Sequence, residues 1–121
     1  MTTLEEIHGV PVLFCGAEGT PVGGEADALD LIGDALYQGA RWVVVPVERF
    51  DESFFRLRTR VAGEIVQKFV NYRLGLAVSG DISTRADGSS ALGDFVRECN
   101  RGRQTWFVTG AEELRERLRN W

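Results

Sequence analysis

The stretch that decides the fold is Arg41–Val47, RWVVVPV, a short and continuous apolar run. A run of this kind without polar alternation is typical of a strand buried on both faces, as in a parallel sheet. A helix precedes it, because apolar residues recur at helical spacing from Ala28 to Leu36 and Gly39 provides a left-handed C-terminal stop. A helix followed by a fully buried strand predicts an α/β protein.

The alternation of strands and helices continues on both sides of this stretch. On the N-terminal side, a hairpin is predicted from Thr3–Ile7 and Val10–Cys15 with His8-Gly9 at its turn, followed by a loop over Ala17–Gly24. On the C-terminal side, Phe50–Phe55 leads into one helix, which contains Arg60–Tyr72. The further predicted elements are the strand Arg73–Ser79, a loop with Asp87-Gly88-Ser89, the helix Ser90–Arg101, the strand Gln104–Thr109 and a terminal helix through Leu114 and Leu118. The order β-β-α-β-α-β-α-β-α predicts one domain over residues 1–121, with helices packed on a mixed, mostly parallel sheet.

The composition is that of a globular protein. The 121 residues are 44% hydrophobic and 26% charged, which argues against a disordered or fibrous chain. Every apolar run is far shorter than the roughly 20 residues of a membrane helix, and no basic segment followed by an apolar one opens the chain. We therefore expect a cytoplasmic protein without a membrane partner.

Charge is distributed unevenly. The net charge is -4, yet no Lys or Arg occurs before Arg41, and the remainder of the chain is net basic. An acidic protein repels nucleic acid over much of its surface, so we expect no nucleic-acid partner. The asymmetry would allow one end of the chain to meet the other between subunits, or to meet a charged partner.

The sequence predicts neither a metal site nor a cofactor. His8 is the single histidine, and the two cysteines, Cys15 and Cys99, form no CxxC pair. Cys15 lies at the end of a predicted strand and Cys99 on the apolar side of a predicted helix, and buried free thiols are expected in preference to a disulfide or a redox pair.

Polar residues follow several predicted strands at their carboxyl ends, where ligands of open α/β sheets bind. Glu48 and Arg49 follow one strand, Gly80-Asp81-Ile82-Ser83 the next, and Thr109-Gly110 the last. Asp81 could act as a base or bind a hydroxyl, but an Asp after a Gly is itself a turn signal, and we expect it to cap the next turn. Neither a GxSxG motif nor a GxxxxGK[ST] phosphate loop occurs.

The helix Arg60–Tyr72 carries the most specific pattern. Five polar residues recur at helical spacing opposite its apolar side and form what we call the polar stripe: Arg60, Glu64, Gln67, Lys68 and Asn71. A solvated face with a Glu64–Lys68 ion pair explains the stripe by itself. Two neutral amides and the only lysine of the chain suit a subunit interface or a ligand cleft instead. Gly63 lowers helix propensity, which suggests a close backbone approach.

Two groups of arginines could bind phosphate, carboxylate or the acidic third of a neighbouring subunit, or could be ordinary surface residues. They are Arg56, Arg58 and Arg60, and Arg97, Arg101 and Arg103. The candidate ligand or interface residues are therefore Arg60, Gln67, Asn71, Tyr72, Arg101 and Arg103.

Several motifs resemble the domain-of-unknown-function 4180 family of small bacterial proteins. The most specific is AGEIVQKFVNYR over Ala62–Arg73, and Phe54–Thr59, Leu76–Asp81 and Ser90–Arg103 match as well. The likeness covers roughly Ala28 to Leu118. It implies a fold and no firm activity.

The predicted order of elements is also similar to that of STAS-like domains, the anti-sigma-factor antagonist fold. Those regulators carry a phosphorylatable serine at the start of the helix after the central strand. Ser53 stands in that place here, in Asp51-Glu52-Ser53-Phe54. The resemblance implies a phosphosite at Ser53, and a plain helix-start residue is the alternative.

Two functions are compatible with these residues. The first is a STAS-like regulatory or binding module, homodimeric, that contacts a protein, a small molecule or a peptide. The alternative is a small cofactor-independent tailoring enzyme of a biosynthetic pathway. In that case Glu64, Lys68 and Asp81 would be its catalytic acid and base groups, with Asn71 and Tyr72 orienting the substrate.

Overall fold

The computed structural model describes residues 2–86 and 90–121, which form a five-stranded sheet of order β1-β2-β3-β4-β5. The strands are β1 (Thr2–Ile7), β2 (Val10–Cys15), β3 (Trp42–Pro46), β4 (Gly75–Ser79) and β5 (Thr105–Val108). The helices are α1 (Glu25–Gln38), α2 (Val61–Asn71), α3 (Ser83–Ala86), α4 (Ser90–Arg101) and α5 (Ala111–Leu118). The predicted α/β fold is confirmed, while the loop residues Asp87, Gly88 and Ser89 lie outside the described ranges.

The first two strands form the predicted antiparallel hairpin. His8 and Gly9 at its turn both have positive φ, 51° and 81°, as a tight two-residue hairpin requires. The later pairs, β2–β3, β3–β4 and β4–β5, are all parallel. The sheet is therefore mixed and mostly parallel.

All three crossover helices lie on one face of the sheet. Right-handed crossovers that move in one direction along a sheet place their helices on the same side. Accordingly, Ile32 of α1, Ile65 of α2 and Leu92 of α4 share one core cluster. On the opposite face, α5 packs Leu114 and Leu118 against the sheet. Helix α2 thus occupies the middle of a three-helix layer, with its outer side turned away from the sheet.

The face under α5 is built around a tryptophan cluster. The rings of Trp42 and Trp106 stack with centroids 4.2 Å apart, and Trp121 meets Trp42 edge-on at 5.5 Å. Gly75 pairs with Trp42 across β3 and β4 and leaves room for the indole, since a Cβ on Gly75 would come within 2.6 Å of the Trp42 ring atom Cε3. A side chain at Gly75 is therefore incompatible with this packing.

The segment before α2 differs from the prediction. Instead of one helix entered at Phe50–Phe55, it forms successive 3-10 turns over Val47–Arg49, Glu52–Phe55 and Leu57–Thr59. The Thr59 Oγ1 atom lies 2.6 Å from the Ser53 carbonyl oxygen and 2.7 Å from that of Arg56, so this hydroxyl takes acceptors that a continuous helix would use. Arg60 then adopts a left-handed conformation with φ 67°, and α2 begins after it.

Candidate groove on helix α2

The polar stripe lines a groove on the outer side of the helix layer, which we call the α2 groove. Its cavity volume is about 500 Å³, in the range of small-molecule sites. Apolar side chains from outside the stripe, Leu57 and Phe95, form part of its wall, and Glu25 of α1 closes one side. All five stripe residues line it, namely Arg60, Glu64, Gln67, Lys68 and Asn71.

Lys68 pairs across two helices and not along its own. Its Nζ lies 3.1 Å from Oε2 of Glu25, at the start of α1, so the expected Glu64–Lys68 pair is wrong. The two helices pack side by side, which brings the first turn of α1 to the lysine. The Glu64 carboxylate makes no hydrogen bond or ion pair within residues 2–86 and 90–121. The groove thus holds one ion pair, between Glu25 and Lys68, and the carboxylate of Glu64 is available to a ligand.

The two amides of the stripe orient each other. Gln67 donates a hydrogen bond from Nε2 to Oδ1 of Asn71 over 2.8 Å. This fixes both side chains and leaves the Gln67 carbonyl oxygen and the Asn71 amide nitrogen facing other partners. One acceptor and one donor are therefore presented together, which suits recognition of an amide-like group.

Gly63 opens the floor of the groove. Among the described residues no atom lies within 4 Å of a Cβ built on Gly63, apart from its own helix and chain neighbours. The close approach expected at this glycine is thus not made by another segment of the chain. A molecule outside the chain has access to the helix backbone at this point.

Asp81 lies apart from the α2 groove. It lines a cavity of about 210 Å³ at the carboxyl ends of β4 and β5, and its Oδ1 accepts a hydrogen bond from the Ser83 backbone N–H over 2.9 Å. Hydrogen bonds from the Ser83 hydroxyl and N–H lower the pKa of Asp81, which makes it a weaker base. This geometry matches the expected cap on the turn that begins α3.

Other polar side chains at the strand ends hold the fold together. Arg49 donates to the carbonyl oxygens of Gly16 and Thr20 at 2.9 and 3.0 Å, which ties down the loop after β2. Glu113 accepts from the Thr109 N–H at 2.8 Å at the start of α5. The strand order never reverses direction, so the sheet has no topological switch point at which a ligand crevice would open. These observations favour the α2 groove over the strand ends as the functional site.

A comparison with models of known protein families identifies the family of this chain. The model of the family described as "Domain of unknown function (DUF4180)" matches residues 7–118, which include α2 and every residue of its groove. The chain belongs to the DUF4180 family. No curated protein and no solved structure matches it. The relation of this DUF4180 chain to STAS-like domains stays a prediction.

The remaining candidate interface residues of this DUF4180 chain lie outside the groove. Tyr72 follows the end of α2 and is half-exposed. Arg101 pairs with Glu98 on the exposed side of α4 at 3.0 Å. Arg103 lines a separate, mainly apolar cleft between α2 and α4, beside Cys99. The structure therefore does not bring these three residues together with the polar stripe.

Ser53, the candidate phosphosite, is held by its neighbour. Its hydroxyl donates to Oδ2 of Asp51 over 2.6 Å, and its N–H bonds the same oxygen at 3.1 Å. These hydrogen bonds lower the pKa of Asp51. The position is that of a capped turn, and phosphorylation of Ser53 stays a prediction.

The two cysteines of the DUF4180 chain are free thiols. Burial raises the pKa of Cys15, and burial together with the Glu98 carboxylate raises that of Cys99 to about 11. No group of three His, Cys, Asp or Glu side chains in the described parts of the chain could hold a metal ion. Likewise, none of its described helices is long and apolar enough to cross a membrane.

Sequence reasoning missed three residues of the groove: Glu25, Leu57 and Phe95. Each comes from an element far from α2 in sequence or from the turns before it. For Glu25 a signal was present, because an acidic third without bases is the natural partner of the basic remainder. Leu57 and Phe95 carried no signal beyond their apolar character.

Proposed function

We propose that this protein is a regulatory module that acts by binding, and that it homodimerises through the α2 groove and the adjoining flank of α1. The observation that carries the proposal is the groove itself. A stripe picked out by residue type and spacing lines one cavity, and the helix backbone at Gly63 is open to an outside molecule. The cytoplasm is the compartment we propose for it.

Exposed apolar side chains continue the groove onto α1. Glu25 reaches Lys68, so the flank of α1 that carries Glu25 faces α2. Leu29 and Leu36 follow four and eleven positions later, on the same flank of the helix, and are 39% and 47% exposed. Large apolar side chains left exposed beside a groove are typical of contact surfaces.

The chemistry of this surface suits a subunit contact. It combines apolar side chains with two amides and an ion pair whose members are both partly exposed. A partly exposed ion pair contributes at most about 1 kcal/mol to folding stability. Stabilisation of the monomer therefore does not account well for this pair. An interface needs hydrogen-bonding groups of this kind around an apolar centre.

The mass in solution tests the proposal. We expect wild type to sediment at about twice its 13.4 kDa, and the Gly63→Arg variant to be a monomer because its side chain fills the groove. Arginine is a better helix former than glycine by up to about 1 kcal/mol, so the variant should fold at least as stably. A wild-type monomer at every concentration would overturn the dimer.

A matched pair of leucine variants tests the extent of the surface. Leu36→Glu places a charge on the α1 flank, while Leu4→Glu makes the same change at a residue of similar exposure, 44%, on β1. We expect only Leu36→Glu to weaken the dimer. Equal effects of the two variants would contradict the assignment of the contact to α1 and α2.

The tailoring-enzyme alternative has one supporting observation, since Glu64 and Lys68 line the same groove. Asp81 is in a different cavity and would not join them. The enzyme alternative would be favoured over the binding module by two results together. Wild type converts a peptide or metabolite of a biosynthetic pathway, and the Glu64→Gln variant does not.

A further inference from the structure

A second cavity, next to the α2 groove, is rich in arginine. It has a volume of about 520 Å³ and is lined by Arg56 and Arg58 from the turns before α2 and by Arg85 from α3. Among residues 2–86 and 90–121, Glu52 is the single carboxylate that lines it, and Phe55 and Leu57 provide apolar wall. The three arginines of the group Arg56, Arg58 and Arg60 are thus divided between two cavities, because Arg60 lines the α2 groove.

Arg85 packs against an aromatic ring and has one hydrogen-bond donor without an acceptor among the described residues. Its guanidinium lies over the Phe55 ring, 4.6 Å from the centroid. Its Nε atom is buried and finds no hydrogen-bond acceptor among residues 2–86 and 90–121. The nearest carboxylate oxygen, Oε1 of Glu52, is 4.0 Å away, which is too long for a hydrogen bond. Arg85 thus has hydrogen-bonding capacity that the described residues leave unused.

Arg56 and Arg58 stand on a fixed scaffold. The Thr59 hydroxyl bridges towards the carbonyl oxygens of Ser53 and Arg56, at 2.6 and 2.7 Å. Phe55, between these anchors, is buried in the core. The two arginine backbones are thereby positioned at the mouth of the cavity without help from a ligand.

The balance of charge identifies the ligand class. Within the described parts of the chain, three guanidinium groups and one carboxylate line the cavity, so these residues contribute a surplus of two positive charges. Guanidinium groups bind the oxygens of phosphate and carboxylate groups through paired hydrogen bonds. We propose that this cavity binds an oxyanion, the phosphate or carboxylate group of a ligand, with the guanidinium groups of Arg56, Arg58 and Arg85 that line it as the donors. The proposal does not depend on the homodimer.

Titration with inorganic phosphate, followed by the arginine Nε–H signals in NMR spectra, tests this site. We expect the Arg85 signal to shift, and the double variant Arg56→Gln/Arg58→Gln to bind phosphate about tenfold or more weakly, the loss expected for a charge-assisted hydrogen bond. A parallel titration with acetate distinguishes the two sources of the oxyanion. Tighter binding of phosphate would assign a phosphoryl group, and tighter binding of acetate a carboxylate.

Two further variants serve as controls for the phosphate titration. Glu52→Gln removes the competing carboxylate, so we expect phosphate to bind more tightly to it than to wild type. Arg119→Gln, at the end of α5 on the other side of the sheet, should leave binding unchanged. Absence of a localised shift at Arg85, or equal losses in the Arg119 and Arg56/Arg58 variants, would overturn the proposal, whatever the outcome of the mass measurements.

Discussion

Two glycines differ in what surrounds the missing side chain. Gly75 lies against the Trp42 indole, which is fully buried and stacked on Trp106. Gly63 lies in a helix with open space above it. A methyl group added at these positions should therefore have effects of opposite sign.

We expect Gly75→Ala to destabilise the protein by about 3 kcal/mol, at the upper end of the cost of overpacking a core. The new Cβ would overlap a ring that neighbouring aromatic side chains prevent from moving. The free energy of unfolding in urea measures the effect.

Gly63→Ala is the matched control for this substitution. We expect it to stabilise α2 by up to about 1 kcal/mol, because alanine has the higher helix propensity and its methyl group meets no other segment of the same chain. A tolerated Gly75→Ala, with unchanged unfolding midpoint, would contradict the packing described for the tryptophan cluster.

At the scale of elements, the polar stripe of α2 could be predicted because helical spacing alone decides which residues share a face. The partner of Lys68 could not. Local spacing favoured Glu64, whereas Glu25 approaches only through the packing of α1 on α2. The 3-10 turns before α2 escaped prediction because a threonine hydroxyl competes for carbonyl groups, which an apolar pattern does not record.

The loop after β2 depends on one side chain. Arg49 spans from Gly16 to Thr20 because its guanidinium has separate donors on both terminal nitrogens. In Arg49→Lys a single ammonium replaces this fork, and we expect a loss of about 1–2 kcal/mol in stability. Faster hydrogen exchange confined to residues 16–24 would show that the loop is the part released.

Arg56→Lys provides the comparison for Arg49→Lys, since it changes an exposed arginine at the mouth of the oxyanion cavity. We expect its stability to remain within about 0.5 kcal/mol of wild type. Equal losses in both variants would mean that the Arg49 hydrogen bonds are not specific supports of the loop.

For the whole molecule, the uneven charge of the sequence is met within the chain. Glu25 pairs with Lys68, and Glu5 of β1 pairs with Arg115 of α5 at 3.0 Å. The acidic third therefore contacts the basic remainder on both faces of the sheet. From the sequence alone, the acidic third is expected to meet basic residues of another subunit or of a charged partner. Contacts within the chain could not be predicted, because separation along the chain does not reveal which ends meet in the fold.

The two free thiols make the stability of the protein depend on pH in the alkaline range. Burial raises the pKa of Cys99 from 9.0 to about 11, so above pH 9 the unfolded chain releases a proton that the folded one retains. The folded state is thus fully favoured below pH 9 and loses stability as the pH rises towards 11. Cys15 shifts in the same direction. We expect thermal unfolding temperatures to fall over this window.

Cys99→Ala isolates the contribution of that thiol. The variant should show a shallower fall in unfolding temperature between pH 9 and 11 than wild type, whatever its stability at neutral pH. An identical fall in both proteins would contradict the retained proton on Cys99.

The sequential strand order has a consequence for how the chain assembles. Each new strand pairs with the one that precedes it in sequence, so every parallel pairing closes over a single crossover connection. Loop closure costs least when the partners are near in sequence, and such topologies fold with fewer long-range searches. The sheet can therefore grow strand by strand as the polypeptide leaves the ribosome. The contacts of the last helix come at the end, among them the ion pair of Glu5 with Arg115 and the packing of Leu114 and Leu118 on the sheet.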